Sequence, residues 1–165
     1  MAAVHIAAWQ AAYRGLVPEP FLAVLDRDRG TARFQQFLES GAGNTYIIEN
    51  DNEPVGHLTI GPCRDDDLAG KGVGEIWGIY VAPAHWRRGI GARACGRAEE
   101  ILRARGFEAI ILWAFERNAA ARRFYEAIGY RPDGSRKMIE VGTPLSAIRY
   151  RKDAALGSKV QPEDG

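Results

Sequence analysis

The sequence predicts a three-layer α+β fold, a mixed and mainly antiparallel sheet flanked by helices, on three observations. Residues 75–81 and 109–114 are apolar strand-like runs separated by a helical stretch at 89–105. Such a strand–helix–strand crossover makes its two strands parallel and lays the helix across one face. Residues 45–49 and 54–60 flank a polar turn and read as an antiparallel hairpin. The first 38 residues, by contrast, carry helical spacing.

The elements follow in order. In residues 2–13, Val4 and Ala8 recur at helical spacing and Trp9 stands four before Tyr13, with Gly15 and Pro18 ending the run. A second helical stretch spans 20–38, with a break predicted at Asp28, Arg29 and Gly30. Residues 64–72 are polar, acidic and glycine-bearing, a loop. Strand 75–81 stops at Pro83, and Gly78 within it predicts a bulge or a close backbone approach. In helix 89–105, Ile90, Ala94, Ala98, Ile101 and Leu102 share one side, Glu99 pairs with Arg103, and Gly106 stops the run. Residues 109–114 are almost wholly apolar, as a strand covered on both faces should be. Asn118 caps a short helix ending at Gly129, and two more strands follow near 136–141 and 145–151. The expected organisation is one domain over residues 1–152 and a fraying polar tail over 153–165.

Composition narrows the function. Apolar residues make up 46%, enough for a core, and a net charge of +1 argues against non-specific nucleic-acid binding. Cys63 and Cys95 are too few for a disulfide framework, and His5, His57 and His85 form no metal-ligand cluster, so no metal is expected. No apolar run approaches the ~18–20 residues of a membrane span, and no secretory signal opens the chain; a cytoplasmic location and no membrane partner are the expectation.

Chemistry concentrates between residues 81 and 92. The first turn of a helix holds amide N–H groups without intrahelical partners and the positive end of its dipole. Gly89 and Gly91 remove side chains that would keep a phosphate from those amides, and Arg87 and Arg88 add charge. A P-loop needs Lys-Ser/Thr after its second glycine, where Ala92-Arg93 stands. A dinucleotide fingerprint needs a third glycine, where Ala94 stands. Neither nucleotide motif fits, and a kinase or oxidoreductase reading falls with them.

Four words in order carry a resemblance: Ile79-Tyr80-Val81-x-Pro83, Arg88-Gly89-Ile90-Gly91-Ala92, Leu112-Trp113, and Asn118-x-x-Ala121-x-x-Phe124-Tyr125-Glu126-x-x-Gly129-Tyr130. Residues 74–134 resemble the core of the GNAT superfamily of acyl-CoA N-acyltransferases, and His5-x-x-x-Trp9-x-x-x-Tyr13-x-Gly15 and Ile148-Arg149-Tyr150 resemble one branch of it. The resemblance implies a splayed parallel pair at the centre of the sheet and acetyl-CoA as acetyl donor. It also implies a first strand that is missing here; either the true start lies upstream of Met1 or the sheet lacks an edge strand. Trp86 and Arg87 depart from the family's usual Gln/Arg and small residue. By position, the backbone of Ile79, Tyr80 and Val81 would pair with the pantetheine arm, with the amide near Ile79 polarising the acetyl carbonyl. The amides of Arg87, Arg88, Gly89, Ile90, Gly91 and Ala92 would hold the pyrophosphate, Asn118 would bond the arm, and Tyr125 would protonate the leaving thiolate.

The Tyr125 role has separate physical sense. Asn118 and Tyr125 are two turns apart, ~10 Å along one helix face. A phenol of reference pKa ~10 is protonated at neutral pH and can donate to a thiolate of pKa ~8.5. The base is left among Glu75, Glu116 and water, each carboxylate being equally readable as a solvated strand end. Trp9, Tyr13, Trp77 and Trp113 are either walls of an acceptor pocket or core aromatics. The expected reaction is acetyl transfer from acetyl-CoA to a primary amine by direct attack in a ternary complex. The alternative is a non-catalytic acyl-CoA-binding sensor or interaction domain. Acidic Asp65, Asp66 and Asp67 either attract a cationic amine or are simply solvated, and the acceptor, a small molecule or a peptide, is not fixed. A homodimer is expected if an exposed sheet edge pairs with its copy.

Overall fold

The computed structural model describes residues 2–153. The tail assigned to residues 153–165 lies outside them, apart from Asp153, which ends the last strand. Three helices come first: α1 (Ala2–Ala12), α2 (Glu19–Ala23) and α3 (Arg27–Ser40). The strands β1 (Asn44–Asn50), β2 (Glu53–Pro62) and β3 (Val73–Val81) follow, then α4 (Ile90–Ala104), β4 (Ala109–Phe115), α5 (Ala119–Ala127), β5 (Arg131–Glu140) and β6 (Pro144–Asp153). No helix among the described residues is long and apolar enough to cross a membrane.

The six strands form one sheet in the order β1-β2-β3-β4-β6-β5. Every neighbour pair is antiparallel except β3 and β4, which run parallel, as the crossover through α4 requires. That central seam is short. It pairs Val73 with Ala109 through Ile76 with Leu112, and then the two strands part. Each stays fully paired on its outer side, β3 to β2 as far as Val81 and β4 to β6 as far as Phe115.

Side-chain alternation sorts the two faces. Leu58, Ile60, Ile76, Leu112 and Ala114 pack with Cys95, Ala98 and Leu102 of α4, and Phe124 and Tyr125 of α5 join them. On the other face, Phe115 and Ala147 pack with Val17 and Leu22, and with the partly buried Trp9 of α1 and Tyr13 just past it. Cys95 is fully buried in the first layer, and burial pushes its thiol up to about 12, so it behaves as an inert small hydrophobe. The bulge expected at Gly78 is present: Thr59 pairs with Gly78 but Ile60 with Ile76, leaving Trp77 as the extra residue. A side chain at Gly78 would strike the Tyr80 ring at 2.8 Å, so the missing Cβ lets that ring fold back over its own strand.

The early helices differ from expectation. The break falls at residues 24–26, before Asp28, because the Asp26 carboxylate accepts the backbone N–H groups of Asp28 and Arg29 at 2.8 and 2.9 Å and starts α3. Gly30 lies inside that helix, and a Cβ there would meet Ala2 at 3.6 Å, so it marks the close approach of α1 to α3.

Candidate active site

The end of β3 leads into a short 3-10 turn, Pro83–His85, and α4 opens at Ile90 behind Gly89. Gly89 has φ 75°, a left-handed conformation natural to glycine, and Arg87 is held at φ 60°. Across this stretch the N–H groups of Arg87, Arg88, Gly89, Ile90, Gly91 and Ala92 find no acceptor of good geometry among the described residues. The first α4 amide to bond backbone is that of Arg93, to the Gly89 carbonyl at 3.1 Å. Six successive open amides stand at the positive end of a fifteen-residue helix, where unpartnered N–H groups favour negative charge. The Trp86 indole N–H donates to the Val81 carbonyl at 2.6 Å, so this side chain lies against the end of β3. A Cβ on Gly91 would lie 3.3 Å from the Phe124 ring, so this glycine also seats α4 against α5.

Beside this cradle lies the gap between the parted strands. The β4-facing edge of Ile79, Tyr80 and Val81 is free of strand pairing, since the seam ends at Ile76. Asn118 is 8% exposed, and its Oδ1 caps α5 by accepting the Ala121 N–H at 3.1 Å. Its Nδ2 has no acceptor among the described residues, which leaves a donor for a ligand.

Three phenols come from three elements: Tyr125 of α5, Tyr80 of β3 and Tyr13 just past α1. None of their hydroxyls makes a hydrogen bond of good geometry among the described residues, and they lie within electrostatic reach of one another. Burial, then Cys95, Tyr13 and Tyr80, push Tyr125 well above the usual phenol range. Burial raises Tyr13 likewise, and raises Tyr80 against the opposing effect of the Trp9 indole. All three stay protonated at neutral pH. Tyr125 packs in the α4 layer, and Tyr13 and Tyr80 add to the rise of its phenol. The Tyr80 side chain was not foreseen in this role; its signal was Gly78, two residues earlier on the same strand.

Glu75 is brought to the head of the seam, 1% exposed, but is not free there. Arg64 donates its backbone N–H and Nε to one carboxylate oxygen at 3.0 and 3.2 Å and its Nη2 to the other at 2.6 Å. A carboxylate so bound takes a proton only after the guanidinium leaves. Glu116 accepts Arg136 at 3.2 Å, and hydrogen bonds from Ser146 and then Arg136 hold it below the usual carboxylate range. Arginines thus occupy both carboxylates in this arrangement.

Asp65 and Asp67 are committed as well. Arg149, 5% exposed, donates to Asp67 at 2.8 Å, Asp133 at 2.6 Å and Asp65 at 3.1 Å. Asp65 also accepts the Trp113 indole N–H at 3.0 Å and Lys137 at 3.3 Å. The acidic loop is thus stapled to β4, β5 and β6, and Trp113 is pinned against the core of the α1 face. His57 is 3% exposed with both ring nitrogens unpartnered, stacked on His5 at 5.5 Å and near Tyr80 at 5.1 Å. Burial lowers both imidazoles to about 4, so they are neutral.

Comparison with known proteins agrees with this geometry. The model of the acetyltransferase (GNAT) family matches residues 8–130. A probable N-acetyltransferase of Mycobacterium tuberculosis is 30% identical over 163 residues, covering 95% of this chain and 90% of its own. The PaiA N-acetyltransferase of Thermoplasma acidophilum, crystallised in complex with coenzyme A, superposes with a TM-score of 0.69 at 14% identity, over 93% of this chain and 90% of that one. YncA of Salmonella typhimurium, solved with its cofactor acetyl-CoA, has a TM-score of 0.64 at 17% identity, over 99% and 91%. At those identities the two structures speak for the fold alone. The family match spans most of the residues that build the cradle and the gap, and the chain belongs to the GNAT acetyltransferase family.

Proposed function

We propose that this chain transfers the acetyl group of acetyl-CoA to a primary amine by direct attack in a ternary complex. The observation that carries the reading is the run of six open amides at residues 87–92, at the mouth of the gap between β3 and β4. Acetyl-CoA supplies an acetyl thioester together with a diphosphate and an amide-bearing arm, and the residues present fit all three parts. The cradle amides, with Arg87 and Arg88 beside them, take the diphosphate. The β4-facing edge of Ile79, Tyr80 and Val81 offers backbone groups to the arm as an added strand would, once the Trp86 indole leaves the Val81 carbonyl, and Asn118 Nδ2 donates from the other side.

Within the gap, the N–H near Ile79 faces the acetyl oxygen, where negative charge builds up during attack. The amine nitrogen bonds to the acetyl carbon as the carbon–sulfur bond breaks. Tyr125 gives its proton to the departing sulfur, and the proton lost by the amine passes to water, which restores the phenol. Water is the base in this scheme because Glu75 and Glu116 are held by arginines. Glu75 serves instead to fix Arg64 and the loop that follows β2. A homodimer joined through the open edge of β1 belongs to the same reading, and size-exclusion chromatography tests it.

The deciding experiment is release of free thiol from acetyl-CoA against a panel of primary amines. Amine-dependent release supports transfer. Tight coenzyme A binding with no amine acceleration would turn the assignment to an acyl-CoA sensor.

A further inference from the structure

A second hollow lies on the α1 side of the sheet, a cleft of about 810 Å³ lined by Gln10, Arg14, Val17, Leu22, Arg117 and Leu145 among others. It shares no residue with the 87–92 cradle. Its size suits a small-molecule site. A smaller adjoining hollow shares Leu16, Arg117 and Leu145 with it and reaches Phe115 at the end of β4. Phe115 meets the Tyr13 ring edge-on at 5.2 Å, so one buried ring separates this hollow from Tyr13.

The wall and the charges of this cleft differ in kind. Val17 and Leu22 are buried members of the core on that face, so the apolar wall is fixed by packing. Arg14 and Arg117 are exposed, and neither guanidinium makes an ion pair or hydrogen bond among the described residues. Neighbouring arginines are satisfied: Arg122 by the Tyr150 hydroxyl and the Glu116 carbonyl, Arg136 by the Glu116 carboxylate. Glu19 is the one carboxylate lining the larger cleft, and it pairs with neither arginine. Two free guanidinium forks beside a preformed apolar wall match a carboxylate, which each fork can bind with two parallel bonds.

We propose that the acetyl acceptor is an amine that also carries a carboxylate, an amino-acid-like molecule. Its carboxylate is held by Arg14 and Arg117, its apolar part lies on Val17, Leu22 and Leu145, and its amine points past Phe115 toward the phenols. This inference rests on the acetyl-transfer reading above and names its substrate class.

The test compares matched amines with and without the carboxylate, phenylalanine against phenethylamine and lysine against cadaverine, in the thiol-release assay with the full chain. The carboxylated member of each pair should have kcat/KM at least about tenfold higher, the scale of one charge-assisted hydrogen bond. The double variant Arg14→Gln, Arg117→Gln should raise its KM about 10–100-fold, leaving phenethylamine, cadaverine and the KM for acetyl-CoA unchanged. Equal use of both members overturns the proposal, as does a variant that harms both members equally. If no amine accelerates release, the acetyl-transfer reading fails separately. The carboxylate site is then judged by phenylalanine binding followed through tryptophan fluorescence: saturable in the wild type and lost in the double variant sustains it, and no binding overturns it.

Discussion

Replacing Tyr125 by Phe deletes one oxygen and leaves the ring in place, against Phe124 at 5.1 Å and Tyr130 at 6.2 Å. The hydroxyl has no protein partner of good geometry among the described residues, so its loss forfeits none of the ~1 kcal/mol that a typical internal hydrogen bond contributes. Stability should therefore stay within about 1 kcal/mol of wild type. Catalysis is a different matter. A positioned general acid contributes about 10²–10⁴ in rate, which is about 3–5.5 kcal/mol of barrier at 1.36 kcal/mol per decade. The assay is thiol release at saturating amine, with KM for acetyl-CoA measured alongside. Turnover should fall by that factor while KM for acetyl-CoA moves less than about threefold, the sign of a contact made only as the sulfur departs. Because burial lifts this phenol well above its ordinary value, the wild type should keep its acid form across the alkaline range, and no limb of the pH–rate profile near 10 should belong to Tyr125. A variant with turnover within threefold of wild type would remove Tyr125 from the mechanism. So would a loss of turnover matched by an equal loss of cofactor affinity.

Other outcomes follow from the same geometry. Gly91→Ala should weaken coenzyme A binding only modestly, because its new methyl group presses on Phe124 at 3.3 Å. Gly91→Asp should weaken it at least about tenfold by adding negative charge to the anion site, and calorimetry showing equal affinities would move the phosphates elsewhere. Arg149→Met should lower unfolding stability by about 3–5 kcal/mol in urea titration, since it leaves the half-buried Asp133 without a cation and takes one of the two cations from Asp65. A loss under 1 kcal/mol would mean the staple is cosmetic. The Asp67 carboxyl is held below its ordinary 3.8 by hydrogen bonds from Arg149. Its contribution is present above 3.8 and lost as pH falls through the lowered value, and this acid-side component should vanish in the Arg149 variant. His5 and His57 work over a higher window. Their folded values near 4 lie below the ordinary 6.5, so the unfolded chain binds protons that the folded one refuses. Stability should drop as pH falls from 6.5 toward 4, and His57→Leu should flatten that slope in urea midpoints measured at pH 7.5 and 5.

What the sequence revealed was local or periodic. The parallel pair, the α4 cradle and the Asn118 cap follow from spacing and from glycines at positions where backbone must be bare. What it concealed was long-range pairing of charges. Asp65, Asp66 and Asp67 read as either a lure for a cationic amine or a solvated run, and nothing nearby says that Arg149, more than eighty residues later, claims two of them. Glu75 reads equally as a base or a strand end, because Arg64 sits in a loop whose path no periodicity describes. The α2–α3 break was misplaced because Gly30 is a stronger breaker on paper than Asp26, yet Gly30 is there for helix packing and Asp26 does the capping. Tyr80 was read for its backbone alone; its ring matters because β3 is bulged at Trp77, which re-aims the residues that follow.

The brevity of the β3–β4 seam has a mechanical consequence. Strand pairing joins the two three-stranded halves at four residue pairs, beside the α4 crossover and the Arg149 staple, so whatever lies along the open edges acts as a further suture between them. Occupancy should then be felt as cohesion. Amides of β3 and β4 beyond the seam should exchange hydrogen more slowly once the gap is filled, and the two halves, separable when empty, should melt as one.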